Sequence, residues 1–194
     1  ANTVKCLNLT RKPDKIIPFK MTIRKDDRTM LGIIGAMQVE VSTLKQCMTE
    51  QEARTISGME FVKGRLDGRE VVAVVCGEGK VAAAVCAQTL ILEYKVDAVI
   101  NTGVAGGMGK GIKISDIVVA DSVVQHDMDT SDLGDPKGFI SGIDRIQIPC
   151  DEELNDKVRA AAGLSPGNYR HWRSVCRLKG QAEPADGGIR RGGL

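Results

Sequence analysis

The chain has 194 residues, of which 42% are hydrophobic and only 3% aromatic, and its formal net charge is +2. That length suits one α/β domain or a little more, with an aliphatic core. No run of about 18 apolar residues exists to span a membrane, and the first residues lack the apolar centre of a signal peptide.

The small net charge hides an asymmetry. Residues 30–164 hold 13 basic and 20 acidic residues, whereas 1–29 hold 8 and 3, and 165–194 hold 6 and 2. An acidic middle therefore lies between two basic ends. The six cysteines, Cys6, Cys47, Cys76, Cys86, Cys150 and Cys176, show no Cys-x-x-Cys spacing. With two histidines they make no metal pattern. They read as buried, reduced thiols of a cytoplasmic protein.

In chain order, residues 1–29 are polar, basic and without period, and predict no element. Leu31 to Met37 reads as a short buried strand ending in a turn. Residues 38–48 fit a helix that packs through Val39, Val41, Leu44 and Met48. Met59 to Leu66 and Glu70 to Val75 read as two strands around Asp67-Gly68, a strong hairpin turn. Gly77-Glu78-Gly79 breaks the pattern. Lys80 to Tyr94 is alanine-rich and apolar on most sides, which predicts a buried helix. Val96 to Ile100 reads as a buried strand of a parallel sheet, ending in a glycine-rich turn at Gly103, Gly106 and Gly107. Ile114 to Val124 is another strand candidate. Residues 125–149 are loop-rich, and Asp151 to Ala162 reads as a helix with acids at its N-terminus. After Gly163 the apolar period stops, and 165–194 taken alone is a basic, Gly- and Arg-rich tail.

In open α/β sheets ligands sit just past the carboxyl ends of the strands. The turn from Asn101 to Gly107 is therefore a candidate site wall, and Glu40, in the first turn of the helix leaving the first strand, is a candidate general base. Its plainer reading is a solvated helix-start carboxylate. Glu78 is either an exposed turn residue or a carboxylate in the site wall. His126-Asp127-Met128-Asp129 suits acid/base or metal work less well than a structural loop. Gly32-Ile33-Ile34-Gly35 lacks the G-x-G-x-x-G of a dinucleotide site, and neither Gly79-Lys80 nor Gly109-Lys110 completes a phosphate loop.

Four segments together resemble one family. Gly32 to Val41 (GIIGAMQVEV) is similar to the N-terminal signature of 5'-methylthioadenosine/S-adenosylhomocysteine nucleosidases. Gly77 to Ala84 (GEGKVAAA) resembles their second glycine turn and helix, and Asn101 to Gly107 their third motif. His126 to Asp129, with Gly134-Asp135-Pro136 and Gly138 to Gly142, fits the segment that follows. The match covers about 30–164 in order and spacing. It implies a nucleoside-phosphorylase-type mixed sheet flanked by helices, a homodimer, and hydrolysis of the N-glycosidic bond of a thio-substituted adenosine with release of adenine. The ligand is a small adenine nucleoside, and no cofactor or metal is implied. Glu40 matches the family's water-activating glutamate. Val104, Ala105 and Gly106 match the wall against the nucleoside, and Glu78 stands where the family commonly has an apolar residue near the ribose and alkylthio group. A desolvated carboxylate there is costly, which leaves a related adenosine-type nucleoside open.

The resemblance also implies a further stretch of roughly seventy residues. It carries an adenine-stacking phenylalanine, a Met-Glu pair on the ribose hydroxyls and an aspartate that protonates adenine, none of which is found here. The expectation is a partial nucleosidase domain over 30–164, with the C-terminal part missing and the 194-residue chain inactive. From about Gly167 the chain reads as a frameshifted translation. Permitted codons from Gly167 onward, read one base later, allow EITGTGDQFVASKAKQNRLMEEFGG, similar to the family's TGDQF segment and the lysine-rich helix ending in EEF. Residues 1–29 read as translated leader, since Met30 stands where the family starts and Lys25-Asp26 can be encoded by AAGGAY, a ribosome-binding-like sequence. Sequencing the coding DNA decides both points. Rival readings are a purine nucleoside phosphorylase, disfavoured because no phosphate-binding arginine is recognisable, and a non-catalytic nucleoside- or nucleic-acid-binding module using the basic ends. Against nucleic acid stands the absence of aromatic interleaving.

Overall fold

The computed structural model describes residues 3–11 (as backbone), 30–106 and 116–161. Among the described residues, nine strands and three helices follow in the order β1 (Thr3–Arg11), β2 (Leu31–Gly35), α1 (Gln38–Cys47), β3 (Thr49–Ile56), β4 (Met59–Leu66), β5 (Arg69–Val75), α2 (Lys80–Glu93), β6 (Ala98–Gly106), β7 (Ile117–Val119), β8 (Ser122–Val124), β9 (Gln147–Pro149) and α3 (Glu152–Ala161). Seven strands form one mixed sheet in the order β3-β4-β5-β2-β6-β1-β7, and β8 pairs with β9 in a separate hairpin. The predicted basic tail from residue 165 and the glycine-lysine pair at 109–110 lie outside the described residues.

The centre of the sheet is the parallel trio β5-β2-β6, with Ile33 opposite Ala73 on one side and Ile100 on the other. Successive side chains alternate between faces, and both faces are covered. Ile34, Val72, Val74 and Val99 point to the side of α2, where they pack with Cys86 and Leu90. Ile33, Val71 and Ala73 point to the other side and pack with Val41 and Met48 around α1. Leu31 and Ile100 continue that second layer onto Leu154 of α3. Double burial explains why these strands read as continuous apolar runs. The Asp67-Gly68 hairpin is as predicted, with φ of 49° and 79° at its two central residues. A second hairpin at Ser57-Gly58 joins β3 to β4 with the same positive φ signs; the sequence reading passed over β3.

Four expectations are corrected. The stretch 1–29, read as having no element, contributes β1, which pairs with β6 along nine residues. The glycine-rich stretch after Ile100 is not a turn: β6 continues extended to Gly106, held by β1 on its far side. The single strand predicted near Ile114 to Val124 is two short strands, β7 and β8, separated by Ala120 and Asp121. Finally, α2 is not buried all round. Cys86 and Leu90 are fully buried, but Val81, Val85 and Leu92 are 80%, 41% and 53% exposed. The sheet covers one side of a helix, and nothing among the described residues covers the other.

The α3 helix starts at a cap, with Asp151 accepting a hydrogen bond from the Leu154 N–H at 2.8 Å. Its buried Asn155 donates to the Ala120 carbonyl at 2.9 Å, and Arg159 pairs with Asp121. These contacts fasten α3 to the β7–β8 corner. No helix among the described residues is long and apolar enough to cross a membrane.

Burial also sets the thiol chemistry. Desolvation is the main cause that pushes the Cys86 thiol up to about 12 and raises Cys76 as well. A thiol that holds its proton longer when folded supports stability below its ordinary value of 9.0. That support is lost as pH rises from there towards about 12. Iodoacetamide at pH 8 is therefore expected to label exposed Cys47 quickly and Cys86 only after unfolding. Equal labelling rates in the native chain would contradict this burial.

Candidate functional site

Three turns and strand ends meet at the carboxyl edge of the parallel strands. β2 ends at Gly35, whose carbonyl accepts a hydrogen bond from the Cys76 N–H at 2.9 Å. That bond ties the exit of β5 to the exit of β2. The chain then turns into α1, with Glu40 as its third residue. A carboxylate near a helix N-terminus is favoured by the unpaired N–H groups there.

Glu40 uses both carboxylate oxygens. Oε2 accepts from the Met37 N–H at 2.8 Å, half of a capping box, and Oε1 accepts from the Val104 N–H at 2.8 Å. The second bond joins residues 64 apart in sequence. Two backbone donors at fixed positions leave the carboxylate little freedom. A carboxylate has about four acceptor positions, so each oxygen keeps capacity for a water or a ligand hydroxyl.

Glycine makes this approach possible. A Cβ built at Gly103 would lie 2.7 Å from Glu40 Oε1 and 3.0 Å from its Cδ. Any other residue would push into the carboxylate. Gly35 has a different reason: a Cβ there would lie 2.4 Å from Val41 Cγ2, in the packing of α1 on the sheet. Gly35→Ala is expected to destabilise the fold by about 1–3 kcal/mol through overpacking. An unchanged urea midpoint would refute that reading.

Of the sequence-predicted site residues, Glu40 and Val104 are joined by a hydrogen bond, and Ala105 and Gly106 follow Val104 on the same strand. β2 pairing with β6 ends at Ile34 and Asn101, so 102–106 extends past the end of β2 beside Glu40. Val104 is 42% exposed, and at Gly106 a Cβ would meet nothing within 4 Å, so this stretch of β6 is open to solvent. Glu78 sits on the neighbouring turn between Cys76 and α2 and is exposed. The Cys76 thiol, two residues before it, is close enough to Glu40 to feel its charge.

One contact at this edge was not foreseen. Lys80 Nζ, at the start of α2, pairs with Asp127 at 2.6 Å and draws the 125–129 segment to the turn that carries Glu78. The hydrogen bond from Lys80 is the first cause holding the Asp127 carboxyl below its ordinary range. Asp129 is held low in the same way by Ser131, with Lys137 adding to it. So His126-Asp127-Met128-Asp129 is engaged in loop structure through both aspartates. No local pattern could have signalled the Lys80–Asp127 pair, because its partners are 47 residues apart.

Residues 30–176 match the model of the Phosphorylase superfamily. Among curated proteins, the chain is similar to the 5'-methylthioadenosine/S-adenosylhomocysteine nucleosidase of Geobacillus thermodenitrificans. The two are 41% identical over 136 residues, covering 70% of this chain and 57% of that protein. The namesake from Shewanella pealeana is 45% identical over 134 residues, covering 69% and 58%. Among solved structures, the Neisseria meningitidis nucleosidase in complex with methylthio-immucillin-A has a TM-score of 0.67 at 33% identity, over 72% of this chain and 60% of that one. Futalosine hydrolase of Helicobacter pylori has a TM-score of 0.65 at 32% identity, over 71% and 60%. The chain spans little more than half the length of the curated relatives it matches. With the sequence pattern matched from Met30 to Cys176 and the mixed α/β sheet shared with these structures, the chain belongs to the phosphorylase superfamily.

Proposed function

We propose that the site at the end of β2 and β6 serves hydrolysis of the N-glycosidic bond of 5'-methylthioadenosine or S-adenosylhomocysteine, with release of adenine. Glu40 positions the attacking water and takes its proton. Val104, Ala105 and Gly106 form the nucleoside wall, and Glu78 lies at the ribose side. The observation that carries this reading is the double anchoring of Glu40 by the Met37 and Val104 N–H groups, beside the open stretch of β6. Glycosidic cleavage passes through an oxocarbenium-like state. The bond electrons leave with the purine, which takes a proton from solvent water; the oxygen of the attacking water bonds to the anomeric carbon, and its proton goes to the carboxylate. A carboxylate held at one place also stabilises the positive charge that develops on the sugar.

Phosphate as nucleophile is the second reading, and the superfamily admits it. Glu78 bears on substrate choice. Because it is exposed, its charge costs little until a ligand covers it, so an alkylthio group is tolerated if it leaves Glu78 hydrated. The same proposal includes a cytoplasmic location and a homodimer. The exposed Val81, Val85 and Leu92 of α2 support a dimer, since a covered apolar stripe is what a stable interface needs.

The test pairs binding with turnover. Methylthio-immucillin-A, which the Neisseria relative binds, is titrated into the isotopically labelled chain. Shifts are expected at the Val104 and Ala105 amides, and their absence overturns the assignment of the wall. Adenine release from both nucleosides is then followed with and without phosphate. The expected result is release of adenine that does not depend on phosphate. Phosphate-dependent formation of ribose 1-phosphate would favour the phosphorylase reading.

A further inference from the structure

In the sheet order, β2 lies between β5 and β6. Glu40, just past the exit of β2, is therefore flanked by the end of β6 on one side and by the turn leaving β5 on the other. The exits of β5 and β6 stand two strand spacings apart, about 10 Å. The two flanks differ in chemistry. Thr102 to Gly106 on β6 carries no charge. The turn Gly77-Glu78-Gly79 carries an exposed carboxylate.

The bond from the Cys76 N–H to the Gly35 carbonyl, at 2.9 Å, pins the start of that turn beside the exit of β2. Beyond the bond the turn is open: a Cβ at Gly77 or Gly79 would meet nothing within 4 Å among the described residues. Lys80, two residues after Glu78, gives its charge to Asp127 of the facing loop at 2.6 Å.

A nucleoside with its anomeric carbon at Glu40 has to lie across these flanks. The flat, neutral purine suits the uncharged stretch of β6. Ribose and its 5'-substituent leave the anomeric carbon in the other direction, over β2 towards the β5 turn. What meets Glu78 is then the end of the 5'-substituent. An apolar group that covers a carboxylate strips its water and returns nothing. A second carboxylate is repelled. An ammonium group replaces the lost water with a charge-assisted hydrogen bond.

We propose that Glu78 selects the 5'-substituent, and that the nucleoside class this site favours is a 5'-thioadenosine whose side chain carries an ammonium group. S-adenosylhomocysteine, with an amino acid on its sulfur, is thereby favoured over 5'-methylthioadenosine. The inference rests on the hydrolase reading, through the place it gives the anomeric carbon. Glu78 acts on the far end of the ligand and takes no part in bond cleavage.

The test varies the charge at that end alone. The probes are the aminopropylthio, butylthio and carboxypropylthio derivatives of 5'-deoxyadenosine, which match in size and are cationic, neutral and anionic. Each is titrated into the isotopically labelled 194-residue chain, with the Val104 and Ala105 amides as reporters. The cation is expected to bind at least about tenfold tighter than the neutral probe, the worth of one hydrogen bond to a charged group. The anion should bind weakest. Glu78→Gln should shrink the spread to about twofold or less, and Glu78→Lys should reverse the order. Both changes fall on an exposed turn, and the same spectra report whether the chain stays folded. Equal affinities or the opposite order in the unaltered chain would overturn the proposal and leave the hydrolase reading standing. So would a full spread that keeps its order in either variant. Failure of all three probes and of methylthio-immucillin-A to shift these amides would overturn both.

Discussion

Replacing Glu40 with Gln is expected to lower adenine release by about 10²- to 10⁴-fold, the usual range for removing a general base. The measurement is single-turnover release of labelled adenine with protein in excess over nucleoside, so that a slow baseline is still readable. The amide has one acceptor oxygen where the carboxylate has two, so it keeps one of the two anchoring bonds, from Met37 or from Val104. The other N–H then faces an amide NH₂. The expected stability cost is only about 1 kcal/mol, and the circular dichroism spectrum should be unchanged. A Glu40→Gln chain with unaltered release would remove Glu40 from the chemistry, and the anchoring would then be structural only.

Gly103→Ala tests the same carboxylate from the other side. The added methyl group would sit 2.7 Å from Glu40 Oε1, so the carboxylate must give up its bond from the Val104 N–H to clear it. The stability cost should be about that of one hydrogen bond, ~1 kcal/mol. A displacement of about 1 Å can cost roughly 10²-fold in rate, and a loss of that size is expected. Gly106→Ala is the control, since its methyl group would meet nothing within 4 Å. Because both changes act on one carboxylate, the double variant Glu40→Gln/Gly103→Ala should be no slower than Glu40→Gln alone. Additive losses would mean that Gly103 contributes by a separate route, such as contact with the nucleoside.

The order of β2, α1, β4, β5, α2 and β6 was legible in the sequence because each rests on a local pattern. Leu31 to Gly35 and Val71 to Val75 are apolar on both faces, the mark of a sheet covered on both sides. Asp67-Gly68 supplies the positive φ angles that a tight hairpin needs, wherever the hairpin sits. Glu40 stood out through its place in a family pattern and at a helix start, both features of adjacent residues.

What tertiary structure decided lies in contacts between distant residues. The bond from Val104 to Glu40 spans 64 positions and the Lys80–Asp127 pair 47, and no window of sequence contains either. Gly103 reads as a turn former, and only the neighbouring carboxylate shows that it clears space in a strand. The same holds for the extent of β6. Glycine is equally at home in a turn or an extended strand, so pairing with β1 decides the conformation of 102–106. Local sequence sets which faces must be covered and where the chain can bend. Which covering each face receives, and so how one carboxylate comes to stand at the sheet's edge, is settled by long-range pairing that local periodicity does not encode.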